Sequence, residues 1–265
     1  MAAGPDPRKP VPVLRPASLD GVRVNGGFST RLGGVSEPPF HELNLSHSGG
    51  DDRSAVAENL LRWCRACGLS RCPPLVQRQV HGAAVTWVGG PDGASRAIVA
   101  GREADALATA EAGLPLAIQV ADCVPILLWD PRAPAVAAVH AGWRGTAAGV
   151  VGAAIETMVQ RAGTNPENLR AALGPAIGGC CYEVGPEVVE ALAAVAPTEV
   201  FVEPVAGGRP RVDLRRANRA ALVYAGVPED AVELVGGCTC CDPDLYSYRR
   251  DGPRTGRLMG VIEIR

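Results

Sequence analysis

Two apolar runs, VPILLWD at 124–130 and AVAAVHA at 135–141, constrain this chain more than any other feature. Neither alternates polar with apolar residues, so a strand made from either has no face to offer to water. Such strands belong in the middle of a sheet that is covered on both sides. A tight reversal at Asp130-Pro131-Arg132-Ala133 is expected between them, because proline presets φ at the second turn position. That turn predicts an antiparallel pair with Cys123 facing His140, their β-carbons about 5 Å apart. A turn two residues longer leaves the same two residues as diagonal neighbours.

The ends of these runs are chemically unlike their interiors. The second passes through VHAGWRGT, which places an imidazole, an indole and a guanidinium within a few residues of two glycines. The chain has four histidines; His41 and His47 fall in a loop, His81 closes the run LVQRQVH, and His140 closes AVAAVHA. His81, Cys123 and His140, all read as strand ends, make up a ligand set that suits zinc. Three protein ligands with an open fourth position are the pattern of a catalytic ion. The same residues also fit a metal-free arrangement in which a histidine activates Cys123 as a nucleophile. Their spacing matches no compact zinc-finger signature. Arg31, Arg144, Arg249 and Arg250 lie in polar or glycine-rich loops, where a guanidinium is the natural fork for phosphate or carboxylate. Asp122, next to the cysteine, is a candidate for orienting a ligand, or for capping a turn.

Composition removes several classes of function. Net charge is −2 with no basic block, which excludes a nucleic-acid or anionic-membrane footprint. No apolar run reaches the ~20 residues that a bilayer requires. The start, MAAGPDPRKPVPVLRP, is proline-rich and reads as a flexible tail over residues 1–20 rather than a secretory signal. Nine cysteines without an export signal therefore point to reduced thiols in a cytoplasmic protein, with Cys64 and Cys67 as core residues.

Elsewhere the pattern alternates helices and strands without repeat or linker. A helix is predicted from about Asp52 to Cys67, capped by Asp51 or Asp52, and others over Thr146 to Ala162, from Pro186, and after Asp213. LVQRQVH, AVTWV, LPLAIQVA, LRAALG, AVELVGG and RLMGVIEI read as further strands. Several strands look hairpin-connected, so the sheet is mixed, largely antiparallel and flanked by helices, an α/β class.

With these residues in view the chain resembles one family. FSTRLGG, LNLS followed by GGDD, QRQVHG, ADCVPILL, VHAGWRGT, LGPAIGGCCYEVG and LYSYRRDGPRTGR follow in order and are similar to the motifs of the YfiH family. This is the polyphenol oxidase or laccase-domain family, which includes the protein FAMIN and is now regarded as purine nucleoside phosphorylases. The resemblance implies a single-domain layered α/β sandwich over residues 21–265 and one zinc on His81, Cys123 and His140. It also implies phosphorolysis of adenosine, inosine, guanosine and methylthioadenosine, with adenosine deamination as a second activity. Arg31, Asn44, His81, Cys123 and His140 fall where the family's motifs place active-site residues, and Arg144 and Arg249 join them as substrate binders. Cys180, Cys181 and Cys238 match family cysteines. The CTCC cluster around Cys240 and Cys241 departs from the pattern and leaves open a second, adventitious metal site.

Three other readings stand beside this one. A copper-dependent polyphenol oxidase would use the same two histidines and cysteine as a blue-copper set, although four histidines are too few for a full multicopper enzyme. A metal-free cysteine–histidine hydrolase or amidase and a non-catalytic binding protein complete the set. Zinc with purine nucleosides and phosphate is the expectation taken forward.

Overall fold

In the computed structural model, which describes residues 9–21, 23–89, 99, 101–203, 205 and 208–265, the two apolar runs lie side by side in the middle of a six-stranded sheet. The strands are β1 (Val13–Leu14), β2 (Val24–Ser29), β3 (Val85–Val88), β4 (Ala106–Thr109), β5 (Leu116–Val120) and β6 (Val124–Asp130). They continue with β7 (Ala135–Ala141), β8 (Arg170–Leu173), β9 (Val202–Glu203), β10 (Arg211–Val212), β11 (Val232–Leu234) and β12 (Leu258–Ile264). The helices are α1 (Arg53–Cys67), α2 (Trp143–Ala147), α3 (Val150–Ala162), α4 (Pro186–Leu192), α5 (Thr198–Phe201), α6 (Leu214–Tyr224) and α7 (Tyr248–Asp251).

One sheet runs β11-β8-β6-β7-β4-β3 and a second runs β1-β2-β12-β5. Apart from β3–β4 and β8–β11, neighbours are antiparallel. The sheets stack, and this explains why β6 is apolar on both faces. Leu127 and Trp129 face the second sheet among Phe28, Ile118 and Ile262. Ile126 and Leu128 face the other way, into a cluster with Val150, Ala154 and Met158 of α3 and Leu222 of α6. On the far face of the second sheet, Trp63 and Cys67 of α1 pack on Ala117, Met259 and Val261. The layers are thus helix, sheet, sheet and helices, the expected single-domain α/β sandwich, with two sheets where one central sheet was expected.

Several local expectations change. The β6–β7 register pairs Val124 with Ala141, Pro125 with His140 and Asp130 with Ala135, so the reversal is two residues longer than the tight turn. Asp130 Oδ1 accepts the N–H groups of Arg132 and Ala133 at 2.8 and 3.0 Å, and Pro134 has no N–H to continue the ladder. Cys123 and His140 are diagonal rather than opposite. The helix expected over Thr146–Ala162 is two, α2 and α3, separated by Gly149 at φ +80°. Thr146 is therefore inside a helix, bonded to Asn218, and caps nothing.

LVQRQVH is not a strand. Among the described residues its β-pairing is limited to the isolated bridges Leu75–Leu116 and Arg78–Glu103, while the side-chain amides of Gln77 and Gln79 bond the carbonyls of Ala106 and Gln119. The strand beside it is β4, whose alanines favour no strand by propensity and so give little signal. Asp52 does cap α1, accepting from Ala55 N at 2.9 Å, and Asp213 caps α6.

Cys64 is not a free thiol. Beyond α1 the chain turns back and Cys72 forms a disulfide with it, Cα atoms 5.9 Å apart, a usual span for a bridge. The expectation of reduced thiols throughout fails there. Of the segment expected as a tail, residues 1–8 lie outside the described residues. Val13 and Leu14 within it pair with Ser29 and Phe28. Among the described residues no helix is long and apolar enough to cross a membrane.

Candidate active site

At one end of the β6–β7 pair the polar residues converge on a cavity of about 910 Å³. His81, Cys123 and His140 lie on its wall, with one ligand atom of each within 4.8 Å of the others. Cys123 Sγ is 3.7 Å from His81 Nε2, and the two imidazole rings meet edge to face with centroids 4.8 Å apart. Each comes from a different kind of backbone. His140 ends a buried strand, Cys123 precedes one, and His81 is in an irregular segment at φ +62°.

Asp105 holds this arrangement. Its carboxylate, fully buried at the start of β4, accepts the N–H groups of Val80, His81 and Gly82 at 3.2, 2.9 and 2.7 Å. The same group lies 2.7 Å from His140 Nδ1, and the Asp105 carbonyl accepts His140 N–H at 2.7 Å. One side chain therefore stabilises the left-handed backbone at His81, a conformation that costs a non-glycine residue roughly 1–2 kcal/mol. It also turns the His140 ring so that Nε2 is left for a ligand, the carboxylate–histidine relation common behind metal sites.

The charges follow from this packing. Burial disfavours the His140 cation, but the Cys123 thiolate and the Asp105 carboxylate outweigh it and raise its pKa to about 9. Burial likewise pushes the Cys123 thiol up, yet the two imidazoles win and lower it to about 6. Burial also opposes the Asp105 charge; its bonds to His140, Gly82 and His81 hold the carboxyl below the usual range.

Gly142 completes the geometry. A β-carbon there would stand 2.8 Å from His81 Cδ2 and 3.0 Å from Cys123 Sγ. The glycine after His140 is the space through which His81 and Cys123 meet.

The rest of the cavity is cationic and aromatic. Arg78, Arg144, Arg249 and Arg257 line it, Arg78 paired with Glu103 at 2.9 Å, and Asp122 is the only carboxylate among the described lining residues. Asp122 is at φ +88° and is occupied on both oxygens, by Thr239 Oγ1 and by Arg249 N, each at 2.6 Å. It orients Arg249 and the loop at Thr239, while the residue bonded to a candidate ligand is Asp105, on His140, and not Asp122 as expected. Arg144 lies over Trp143 at 4.3 Å and Arg249 over Tyr182 at 5.1 Å; both aromatics also line the cavity.

Of the four residues expected to bind substrate, Arg144 and Arg249 line the cavity. Arg31 and Asn44 are not at the cavity wall. Arg31 donates to the His41 carbonyl at 2.7 Å and lies over Tyr246. Buried Asn44 bonds Ser46 and Asp51 and accepts the Arg257 N–H at 2.9 Å, so it supports Arg257 from behind. Arg250 bonds the carbonyls of Thr239, Asp242 and Leu245 and has a structural role. Asp105 and Arg257 went unnoticed in the sequence; the only hint of Asp105 was a carboxylate next to an apolar stretch, ADALA.

Two imidazoles and a thiol within 4.8 Å, one imidazole anchored through its far nitrogen, fit a zinc ion by donor type and by convergence.

Residues 25–265 match the family described as multi-copper polyphenol oxidoreductase laccase. The chain is 44% identical over 235 residues to a purine nucleoside phosphorylase of Streptomyces griseus, covering 89% of this chain and 92% of that one. It is 41% identical over 254 residues to a purine nucleoside phosphorylase of Deinococcus radiodurans, covering 96% and 93%. The crystal structure of a hypothetical protein YfiH from Bacillus licheniformis superimposes with a TM-score of 0.85 at 34% identity, over 92% of this chain and 93% of that one.

Proposed function

The chain belongs to the multi-copper polyphenol oxidoreductase laccase family, and from that premise we propose that it is a zinc-dependent purine nucleoside phosphorylase. Its substrates on this reading are adenosine, inosine, guanosine and methylthioadenosine, and it deaminates adenosine as a second reaction. The observation that carries the reading is the cavity itself. A histidine–cysteine–histidine group lines the same cavity as four arginines, of which Arg78 is paired with Glu103, and the one carboxylate among the described lining residues, Asp122, is already hydrogen-bonded. Such a cavity takes an anion, and its volume of about 910 Å³ is ample for a nucleoside beside a phosphate. The names of the Streptomyces and Deinococcus relatives agree with it.

His81, Cys123 and His140 would hold the zinc, which when bound supplies a Lewis acid able to acidify water, the chemistry that adenosine deamination needs. For phosphorolysis the chain's own residues do the rest. Arg249, Arg144 and Arg257 bind phosphate by charge-assisted hydrogen bonds and hold it beside the anomeric carbon. Their fixed positive charge lies where an attacking phosphate oxygen must be kept. Trp143 and Tyr182 offer flat faces to the purine. Asp105 keeps His140 in one tautomer and orientation, and Asn44 keeps the Arg257 backbone in place.

The test is release of hypoxanthine from inosine with and without phosphate, with ribose 1-phosphate measured in parallel. Base and ribose 1-phosphate should appear together and only when phosphate is present. Base release indifferent to phosphate would make the enzyme a hydrolase and overturn the reading. Elemental analysis giving copper in place of zinc would restore the oxidase.

A further inference from the structure

β8 and β11 are parallel neighbours, so the loops that follow Leu173 and Leu234 leave the sheet side by side. The first carries Cys180 and Cys181, the second Cys238, Cys240 and Cys241. The sulfurs of Cys180, Cys181, Cys238 and Cys241 all lie within 4.8 Å of one another. Cys241 Sγ is 3.5 Å from Cys180 Sγ and 3.3 Å from Cys181 Sγ. We propose that these four thiols form a second zinc centre, a structural tetrathiolate site that ties the two loops together.

Zinc–sulfur bonds of about 2.3 Å in a tetrahedron place sulfurs roughly 3.8 Å apart, within the range seen here. Cys238 and Cys241 have the C-x-x-C spacing of a zinc loop. The loops are shaped around the sulfurs. Gly178 N donates to Cys238 Sγ at 3.2 Å, so one loop aims a backbone N–H at a sulfur of the other, a contact that favours thiolate. A β-carbon on Gly178 would stand 3.3 Å from both Cys180 Sγ and Cys238 Cβ, a tight contact that its absence avoids. Turn bonds Cys181 N to Gly178 O at 2.9 Å and Asp242 N to Cys238 O at 3.0 Å fix each loop around its thiols. A disulfide pairs two sulfurs, as Cys64 and Cys72 are paired. Here all four are free, and Cys241 is shared between two neighbours.

The site would matter to the cavity through Asp122. Thr239, inside the Cys238–Cys241 loop, donates to Asp122 Oδ1, and Asp122 Oδ2 accepts Arg249 N. Arg249 Nη1 in turn bonds the carbonyls of Cys181 and Glu183 at 3.4 and 3.1 Å. An ion joining the loops holds Arg249 and Tyr182 at the cavity wall.

Zinc content of protein purified without added metal tests this directly. Wild type should carry two zincs per chain, Cys123→Ala one, Cys238→Ser one, and the double variant none. Cys240→Ser, whose sulfur is outside the group, should keep two. A single zinc that survives Cys123→Ala would support this centre while counting against the other. Cobalt added to metal-stripped Cys123→Ala protein should give intense sulfur-to-metal charge-transfer absorption. Should Cys238→Ser fail to fold, alkylation of wild type decides, because Cys180, Cys181, Cys238 and Cys241 should be protected until a chelator is added. One zinc per wild-type chain that is lost in Cys123→Ala, with those four cysteines alkylated equally with and without chelator, would overturn the proposal. So would disulfides among them in protein purified under oxygen-free, thiol-protecting conditions.

Discussion

Replacing Gly142 with alanine adds one methyl group where the candidate site has no room for it. Backbone strain does not enter, since Gly142 has φ −76° and ψ 170°, a conformation alanine adopts freely. The added carbon would lie 2.8 Å from His81 Cδ2 and 3.0 Å from Cys123 Sγ, against ordinary contacts of about 3.5–4.0 Å. Roughly 1 Å must be recovered, and the atoms that move belong to two of the three proposed ligands. Overpacking of this size costs about 1–3 kcal/mol. If that cost falls on the metal-binding geometry, zinc affinity drops roughly 5- to 150-fold. Lost capping of α2 adds under about 1 kcal/mol, which thermal unfolding reports separately. Competition against a chromogenic chelator measures the affinity, with phosphate-dependent inosine cleavage followed in parallel. Gly152→Ala is the control. Gly152 is exposed within α3 with nothing near its missing β-carbon, so alanine there should stabilise by roughly 0.5–1 kcal/mol and leave zinc untouched. A Gly142→Ala protein that binds zinc as wild type does would refute the reasoning, because the three side chains would then have slack that the close contacts deny.

The remaining predictions concern charge. Arg249→Ala should lower kcat/KM for phosphate roughly 10- to 150-fold, the value of a lost charged hydrogen bond, with zinc content unchanged; an unaltered phosphate dependence would remove Arg249 from the anion site. Asp105→Asn should weaken zinc roughly 10- to 100-fold and lower Tm, since it disturbs both the His140 ring and the backbone at His81; the measurement is the same chelator competition with a melt beside it. In chelator-stripped protein, Cys123 should ionise near pH 6, seen as thiolate absorbance. Because its pKa is lowered from 9.0 to about 6, its contribution is present above 9 and fades as pH falls through 6. His140, raised from 6.5 to about 9, contributes below 6.5 and loses that contribution as pH rises through 9. Each shift depends on the other charge, so the Tm excess of stripped wild type over stripped Cys123→Ala should peak between about 6 and 9 and fall on both sides. A flat difference would show that the ion pair does not form.

What could be read from the sequence was whatever a residue's own chemistry announces. VPILLWD and AVAAVHA are apolar on both faces because the second sheet covers one face and α3 the other, and that was visible in the letters alone. Asp52 and Asp213 announced their helices by capping them. β4 announced nothing, since its alanines are there to let α3 approach closely, and small size is not a strand signal. Asp105 was hidden for a related reason. Its importance lies in bonds to residues 80–82 and 140, and no spacing along the chain encodes that convergence. Arg31 shows the opposite case. A guanidinium in a glycine-rich loop looks the same on paper whether it faces a cavity or, as here, a carbonyl and a tyrosine ring.

The register of β6 and β7 shows how an error can leave a site legible. Side chains alternate faces with a period of two, so a slip of one residue would have turned Cys123 away from His140. The observed slip is two, from the longer reversal through Pro134, and a slip of two preserves the face. It also changes which residue is opposite the cysteine. Carrying the ladder one step past Val124–Ala141 sets Gly142, not His140, across from Cys123. Had an imidazole been directly opposite, it would have filled the position where His81 now enters. With a glycine there, the third side chain reaches the thiol from outside the sheet, held by Asp105 at the edge of β4. Of the two glycines in VHAGWRGT, Gly142 is therefore the one whose missing side chain lets three residues from three separate segments meet.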